Sequence, residues 1–129
     1  MKKFLYILIA LVVLAGIVFI IVAPARGSGP GKYDAFATCI AQSGATFYGA
    51  FWCPHCQAQK KLFGTSAKLL PYVECSTPDA SGQVKACTDK NITSYPTWEL
   101  ADGTRIPDEN SAGVTLETLA AKTGCVLPQ

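Results

Sequence analysis

The sequence predicts an α/β fold, in which a central mixed sheet is flanked by helices, preceded by one transmembrane helix. Two observations predict the α/β class. An apolar strand runs directly into a Cys-x-x-Cys motif at the start of a helix, and about forty residues later a proline leads into a β-hairpin. The third observation, a long apolar run at the N-terminus, predicts the additional helix. At 129 residues, the chain has room for one small domain beside that run.

Residues 4–23 are the predicted transmembrane anchor. They hold no charge and follow Lys2 and Lys3. A helix of about twenty residues crosses a hydrocarbon core about 30 Å thick, and the two lysines favour a cytoplasmic location for residues 1–3. We therefore expect a single-pass protein of the cytoplasmic membrane, with its catalytic domain on the extracytoplasmic side. A cleaved signal peptide is the alternative, because Ala23-Pro24-Ala25 is similar to a cleavage site. Both interpretations export the domain.

Residues 24–32 predict a flexible tether that leads to a domain over residues 33–129. The tether is short, and its glycine and serine residues make it flexible. The chain carries 11 basic and 9 acidic residues, and three of the basic ones flank the apolar run. The basic excess therefore belongs to the membrane segment, and the domain is not expected to bind nucleic acid.

Three elements are expected in the first half of the domain. Residues 33–42 predict a helix, because apolar residues recur at helical spacing before Ser43-Gly44 ends it. Residues 45–51 are almost wholly apolar and predict a buried strand. Residues 57–70 again show helical spacing, and Pro71 breaks the chain after them.

Five elements are expected in the second half. Asp102-Gly103 is a turn signal between the two strands of a hairpin, and Gly124 is suited to end the last helix. The elements are a short strand over 72–75, a modest helix within 80–89, alternating strands over 97–100 and 104–106, and an amphipathic helix over 115–123. The full order is therefore α, β, α, β, α, β, β, α.

The motif Trp52-Cys53-Pro54-His55-Cys56 is the predicted catalytic site. Pro54 suits the first turn of a helix, where its missing N–H costs nothing. Unpaired N–H groups and the helix dipole favour a thiolate there, so Cys53 is the expected nucleophile and Cys56, one turn further on, the more buried partner. His55 can place a positive charge or a hydrogen-bond donor near the Cys53 sulfur and stabilise its thiolate. Trp52 is expected to shield one side of the nucleophile.

This motif has two alternative interpretations, an inert structural disulfide and half of a zinc site. The sequence contains no second Cys-x-x-Cys, and His55 is its only histidine. The second half of a zinc site of the usual spacing is therefore missing, and one histidine cannot form a multi-histidine metal site. We expect no metal, and no cofactor other than a redox-active disulfide between Cys53 and Cys56.

Residues 33–124 resemble the thioredoxin superfamily in the order of their elements, the Cys-x-x-Cys motif and the proline before the hairpin. Within it, residues 49–56, 73–75 and 92–98 are most similar to the thioredoxin-like partner domain of bacterial vitamin K epoxide reductase homologues. Many thioredoxins carry a buried acid six residues before the nucleophile. Phe47 stands there in this chain, which removes a proton acceptor and disfavours a reductase.

The resemblance implies a cis peptide bond before Pro96, facing the Cys-x-x-Cys motif. The backbone of Tyr95 would then be presented to an extended substrate segment. Pro54-His55 is also the dipeptide of the strongly oxidising enzymes of this superfamily, which implies an oxidase.

Four further cysteines predict two disulfides in an exported domain, and three pairings of them are possible. The resemblance implies a second cysteine pair at Cys75 and Cys87, which leaves Cys39 to pair with Cys125. We expect both disulfides to be structural. A redox relay through Cys75–Cys87 is the alternative.

The function implied by the resemblance is that of a membrane-tethered, extracytoplasmic thiol-disulfide oxidoreductase. It would oxidise cysteines of exported proteins and pass the electrons to a quinone-linked membrane enzyme of the vitamin K epoxide reductase type. We expect this chain to be the separately anchored partner of that enzyme. Two alternatives are an extracytoplasmic reductase or isomerase, and a non-catalytic binding module stapled by disulfides.

Overall fold

The computed structural model of the chain describes residues 2–22, 29–107 and 113–129. Helix α1, Lys2–Val22, covers most of the N-terminal apolar run. Within these described ranges, no helix has both the length and the apolar character that a membrane crossing requires. The predicted transmembrane helix is therefore not supported. Most of the predicted tether over residues 24–32 lies outside the described residues.

A four-stranded mixed sheet forms the centre of the domain, in the order β2-β1-β3-β4. Strand β1 pairs in parallel with β2 and antiparallel with β3, and β3 pairs antiparallel with β4. The strands are β1 Thr46–Gly49, β2 Tyr72–Glu74, β3 Thr97–Glu99 and β4 Arg105–Ile106. The predicted α/β class, with a central mixed sheet flanked by helices, is confirmed.

Helices α2, α3 and α5 share one apolar core with the sheet. Another helix, α4, is short and lies in the loop between β2 and β3. At the start of α5, the Thr115 side chain accepts a hydrogen bond from the Thr118 amide at 3.1 Å, which caps the helix. At its end, Gly124 takes the left-handed conformation. The helices are α2 Asp34–Gln42, α3 Pro54–Phe63, α4 Lys85–Thr88 and α5 Leu116–Thr123.

Two predicted helices were wrong in extent. The helix expected over 57–70 begins at Pro54, the residue predicted for its first turn, but it ends at Phe63 rather than at residue 70. Gly64 turns the chain there with φ 55°, and a 3₁₀ helix, Gly64–Leu69, follows. Within 80–89 only α4 is helical. The preceding turn is held by the Asp79 carboxylate, which accepts hydrogen bonds from the Thr77 hydroxyl at 2.6 Å and the Ser81 hydroxyl at 2.8 Å. Such local side-chain bonds compete with helix formation.

Two pairs of stacked aromatic rings lie in the main apolar core of the domain. Phe47 of β1 stacks on Trp98 of β3 with ring centroids 4.9 Å apart, and Phe36 of α2 stacks on Phe63 of α3 at 5.8 Å. All four side chains are almost fully buried. Because α3 is held by this packing, the Cys-x-x-Cys motif at its start has a fixed position relative to the sheet.

Gln59 of α3 is a fully buried polar side chain that the sequence analysis missed. Its carbonyl oxygen accepts hydrogen bonds from the Val114 amide at 2.6 Å and from the Trp98 indole at 3.2 Å. Its amide nitrogen donates to the Val114 carbonyl at 3.0 Å. These bonds join the helix that carries the cysteine pair to β3 and to the segment before α5. Gly113 permits the approach, because a Cβ at this residue would collide with the Gln59 side chain.

Candidate active site

Cys53 and Cys56 lie at the N-terminal end of α3, directly behind β1. Cys53 is the residue before the helix and has an extended backbone conformation, and Pro54 is the first helical residue. A turn connects β1 to the motif, with the Cys53 amide donating to the Ala50 carbonyl at 3.0 Å. The helix begins here because Pro54 fixes a helical φ and needs no hydrogen-bond acceptor.

The two cysteines are free thiols with different environments. The Cys53 side chain is 5% exposed and Cys56 is fully buried. Burial raises the pKa of the Cys56 thiol to about 12, so this group is protonated at neutral pH. Cys53 is therefore the sulfur that an incoming thiol can reach, and Cys56 the internal partner.

The peptide bond between Tyr95 and Pro96 is cis. The Tyr95 carbonyl accepts a hydrogen bond from the Cys53 thiol at 3.6 Å, so the bend before the hairpin lies against the nucleophile. Tyr95 and Pro96 also line a groove formed by residues 93–97 and 105–107. The two residues that the resemblance placed at the substrate site are thus brought to the Cys-x-x-Cys motif.

Trp52 connects the motif to the loop between β2 and β3. Its indole N–H donates to the Ser76 hydroxyl at 2.9 Å, and its ring meets the Tyr95 ring edge-on at 6.1 Å. The side chain is nevertheless 53% exposed, and the neighbouring Phe51 is also exposed. Together they form an apolar rim beside Cys53. His55 lies on the first turn of α3 and is exposed as well.

The four other cysteines form two disulfides, Cys39–Cys125 and Cys75–Cys87, which is the pairing that the resemblance implied. Cys39–Cys125 joins α2 to the segment after α5. Cys75 and Cys87 are both fully buried, so an external thiolate has no access to their sulfurs. This burial favours a structural role over a relay.

Glu74 is a site residue that the motif search did not assign. One of its carboxylate oxygens accepts hydrogen bonds from the Phe51 amide at 3.2 Å and the Ser76 amide at 2.9 Å. It therefore holds the turn that leads into Cys53. The two chain segments are 23 residues apart, and only the parallel pairing of β1 with β2 brings them together.

Among the described residues, no group of three or more His, Cys, Asp or Glu side chains could bind a metal ion.

Comparison with known proteins shows a relative of this chain. No protein-family profile matches the chain. Over 100 residues, the chain is 42% identical to a protein of Arabidopsis thaliana named thiol-disulfide oxidoreductase LTO1. The aligned region covers 74% of this chain and 25% of that protein, so the chain spans about a quarter of its relative. The chain is therefore a homologue of part of a protein named as a thiol-disulfide oxidoreductase.

Proposed function

We propose that this chain is a membrane-tethered, extracytoplasmic thiol-disulfide oxidoreductase that oxidises the cysteines of exported proteins. The observation that carries the proposal is the position of the Cys53–Cys56 pair. One sulfur lies at the surface end of α3, the other is buried behind it, and the cis bond at Tyr95-Pro96 faces them. Such a pair can alternate between a dithiol and a disulfide without further cofactors.

The proposed cycle begins with the Cys53–Cys56 disulfide. A substrate thiolate attacks the Cys53 sulfur, the Cys53–Cys56 bond breaks, and Cys56 leaves with the electron pair and takes up a proton. A second substrate thiolate then attacks the substrate sulfur of the mixed disulfide and releases Cys53. The substrate is oxidised to a disulfide and the pair is reduced. A quinone-linked membrane enzyme of the vitamin K epoxide reductase type would take the two electrons and restore the disulfide.

Substrate binding is proposed at the cis bond and the apolar rim. Tyr95 lines a groove and its carbonyl contacts the Cys53 thiol, and an extended segment could pair with its backbone as an added strand does. Exposed Phe51 and Trp52 would contact apolar side chains next to the substrate cysteine. The expected substrates are therefore unfolded or extended segments of exported proteins.

The direction of electron transfer is tested by the reduction potential of the Cys53–Cys56 pair. We expect a value between about −120 and −200 mV, above the value of about −270 mV found for thioredoxin. The reason is His55, which would place a positive charge or a hydrogen-bond donor near the Cys53 sulfur and so stabilise the reduced form. Replacing His55 with alanine should therefore make the pair more reducing. The measurement is equilibration of the full-length chain with glutathione buffers.

Lys61→Ala is the control, because it removes a positive charge from an exposed position further along the same helix. It should leave the potential unchanged. A wild-type potential at or below that of thioredoxin would contradict the oxidase and favour the reductase or isomerase.

The location is proposed from residues 4–23 and the lysines that precede them. If this segment is an uncleaved anchor, the protein should remain with membranes after a carbonate wash and keep its original N-terminus. The measurement is N-terminal sequencing of the membrane and soluble fractions. A soluble exported species that begins near Arg26 would show that the segment is a cleaved signal peptide.

A further inference from the structure

Strand β2 places the side chains of Tyr72 and Glu74 on the same face of the sheet as Gly49, next to Cys56. In the parallel pairing of β1 with β2, Phe47 is opposite Tyr72 and Gly49 is opposite Glu74. Residues opposite one another share a face of the sheet, so these positions all lie on the same face. Helix α3 covers that face with Cys56. Phe47, at the position where many thioredoxins have an acid, contacts the Tyr72 ring edge-on at 5.1 Å.

Gly49 allows both the Cys56 sulfur and the Tyr72 ring to lie close to the backbone of β1. A Cβ at Gly49 would lie 2.9 Å from the Cys56 sulfur, 2.8 Å from a ring carbon of Tyr72 and 3.4 Å from its hydroxyl. Any side chain here would collide with both groups. The sulfur and the phenol are thus both immediate neighbours of the Gly49 α-carbon.

The Tyr72 hydroxyl is connected to a carboxylate. It donates a hydrogen bond to Glu74 at 2.8 Å, through the oxygen that does not bind the Phe51 and Ser76 amides. Tyr72 and Glu74 are only partly buried, whereas Cys56 is fully buried. The three groups therefore form a path from an enclosed sulfur to a carboxylate that solvent can reach.

We infer that Tyr72 and Glu74 carry the proton of Cys56, in place of the acid that β1 lacks. The inference rests on the proposed function. When Cys56 attacks a mixed disulfide at Cys53, its S–H bond breaks and the Cys53–Cys56 bond forms. The partner leaves as a thiolate with the electron pair. The proton passes to the Tyr72 hydroxyl as the phenol proton moves to Glu74. In the oxidation of a substrate the same steps run in reverse, and the leaving Cys56 sulfur is protonated.

The charges around Cys56 are consistent with this path. Titratable groups reach it from two elements: Cys53 and Lys60 from the segment that carries the motif, and Tyr72, bonded to Glu74, from β2. Burial raises the pKa of Cys56, and burial followed by the bond to Glu74 raises the pKa of Tyr72. Neither group ionises by itself at neutral pH. The Lys60 ammonium, 3.4 Å from the Tyr72 ring centroid, opposes this shift at Cys56.

The test separates the two thiol reactions of the full-length reduced chain. Ellman's reagent first forms a mixed disulfide at Cys53 and releases one thionitrobenzoate, and attack by Cys56 then releases a second. In Glu74→Gln and in Tyr72→Phe, we expect the first phase to be unchanged and the second to slow by about a hundredfold at neutral pH. The second phase should also become steeply dependent on pH, because hydroxide must then remove the Cys56 proton.

Two controls are matched in residue type: Glu117→Gln, an exposed acid on α5, and Tyr33→Phe, a partly buried tyrosine beside Phe63. Both should keep the wild-type second phase. The inference would be overturned if the second phase in both test variants had the wild-type rate. It would also be overturned if the second phase were slower but had an unchanged pH profile, because that result would indicate a structural effect. If Glu74→Gln does not fold, Tyr72→Phe decides alone. Failure of the wild-type chain to oxidise a dithiol peptide would instead contradict the proposed function.

Discussion

Replacing Cys53 with alanine is expected to abolish the oxidation of a dithiol peptide while leaving the melting temperature close to that of the wild type. Cys53 is the sulfur at the surface end of the helix, and without it no mixed disulfide can form. The structural loss is small, because Cys53 is unbridged and the hydrogen bond from its thiol to the Tyr95 carbonyl is long, at 3.6 Å. The measurements are peptide oxidation by mass spectrometry and thermal unfolding of the same preparation.

Cys56→Ala is the matched comparison. It keeps the nucleophile but removes the internal thiol, so mixed disulfides between Cys53 and substrates should accumulate. Trapped species on a non-reducing gel would separate an oxidoreductase from a binding module that merely shares the fold. Oxidation at the wild-type rate by the Cys53→Ala variant would contradict the assignment of the nucleophile.

Removing the Cys39–Cys125 disulfide is expected to cause the largest loss of stability of any change considered for this chain. It closes a loop with a sequence separation of 86, for which chain entropy gives about 4.6 kcal/mol. The double variant Cys39→Ala, Cys125→Ala should therefore unfold at a much lower denaturant concentration. It should still oxidise a dithiol peptide at low temperature, because the turn and helix around Cys53 do not depend on it. Denaturant titration of the free energy of unfolding is the measurement.

Cys75→Ala with Cys87→Ala is the comparison for this prediction. The sequence separation of 12 gives a smaller loss, about 3 kcal/mol. If this variant oxidises peptides normally but is no longer reoxidised by its membrane partner, Cys75–Cys87 is a relay after all. Equal losses of stability in the two double variants would contradict the dependence on loop length.

The parts of the site that are local in sequence could be predicted, and the parts made by tertiary contacts could not. The strand before the motif, the helix start at Pro54 and the division of roles between Cys53 and Cys56 all follow from a few neighbouring residues. Gln59 and Glu74 did not stand out, because each acquires its role from groups far away in the chain. The sequence around Gln59 does not indicate that its side chain will be buried and will form hydrogen bonds with Trp98 and Val114.

The errors in the fold also have local physical causes. Apolar spacing continues beyond Phe63, so periodicity alone extends the helix, whereas the backbone of Gly64 ends it. The segment before α4 has a modest helical pattern, but the hydrogen bonds of Asp79 stabilise a turn. The disulfide pairing and the cis bond before Pro96 were implied only by the family resemblance, since spacing left three pairings open.

The arrangement of the two disulfides has a consequence for how the chain is made. Cys39 pairs with the last of the six cysteines, and the other four lie between them in sequence. During synthesis from the N-terminus, Cys39 therefore meets each of those four before its own partner exists. Cys75 and Cys87 can pair as soon as their short segment has emerged. The correct set of bonds consequently depends on Cys39 staying reduced, or being reshuffled over seconds to hours, until the final helix has joined the domain. A protein proposed to oxidise others is thus itself a demanding product of oxidative folding.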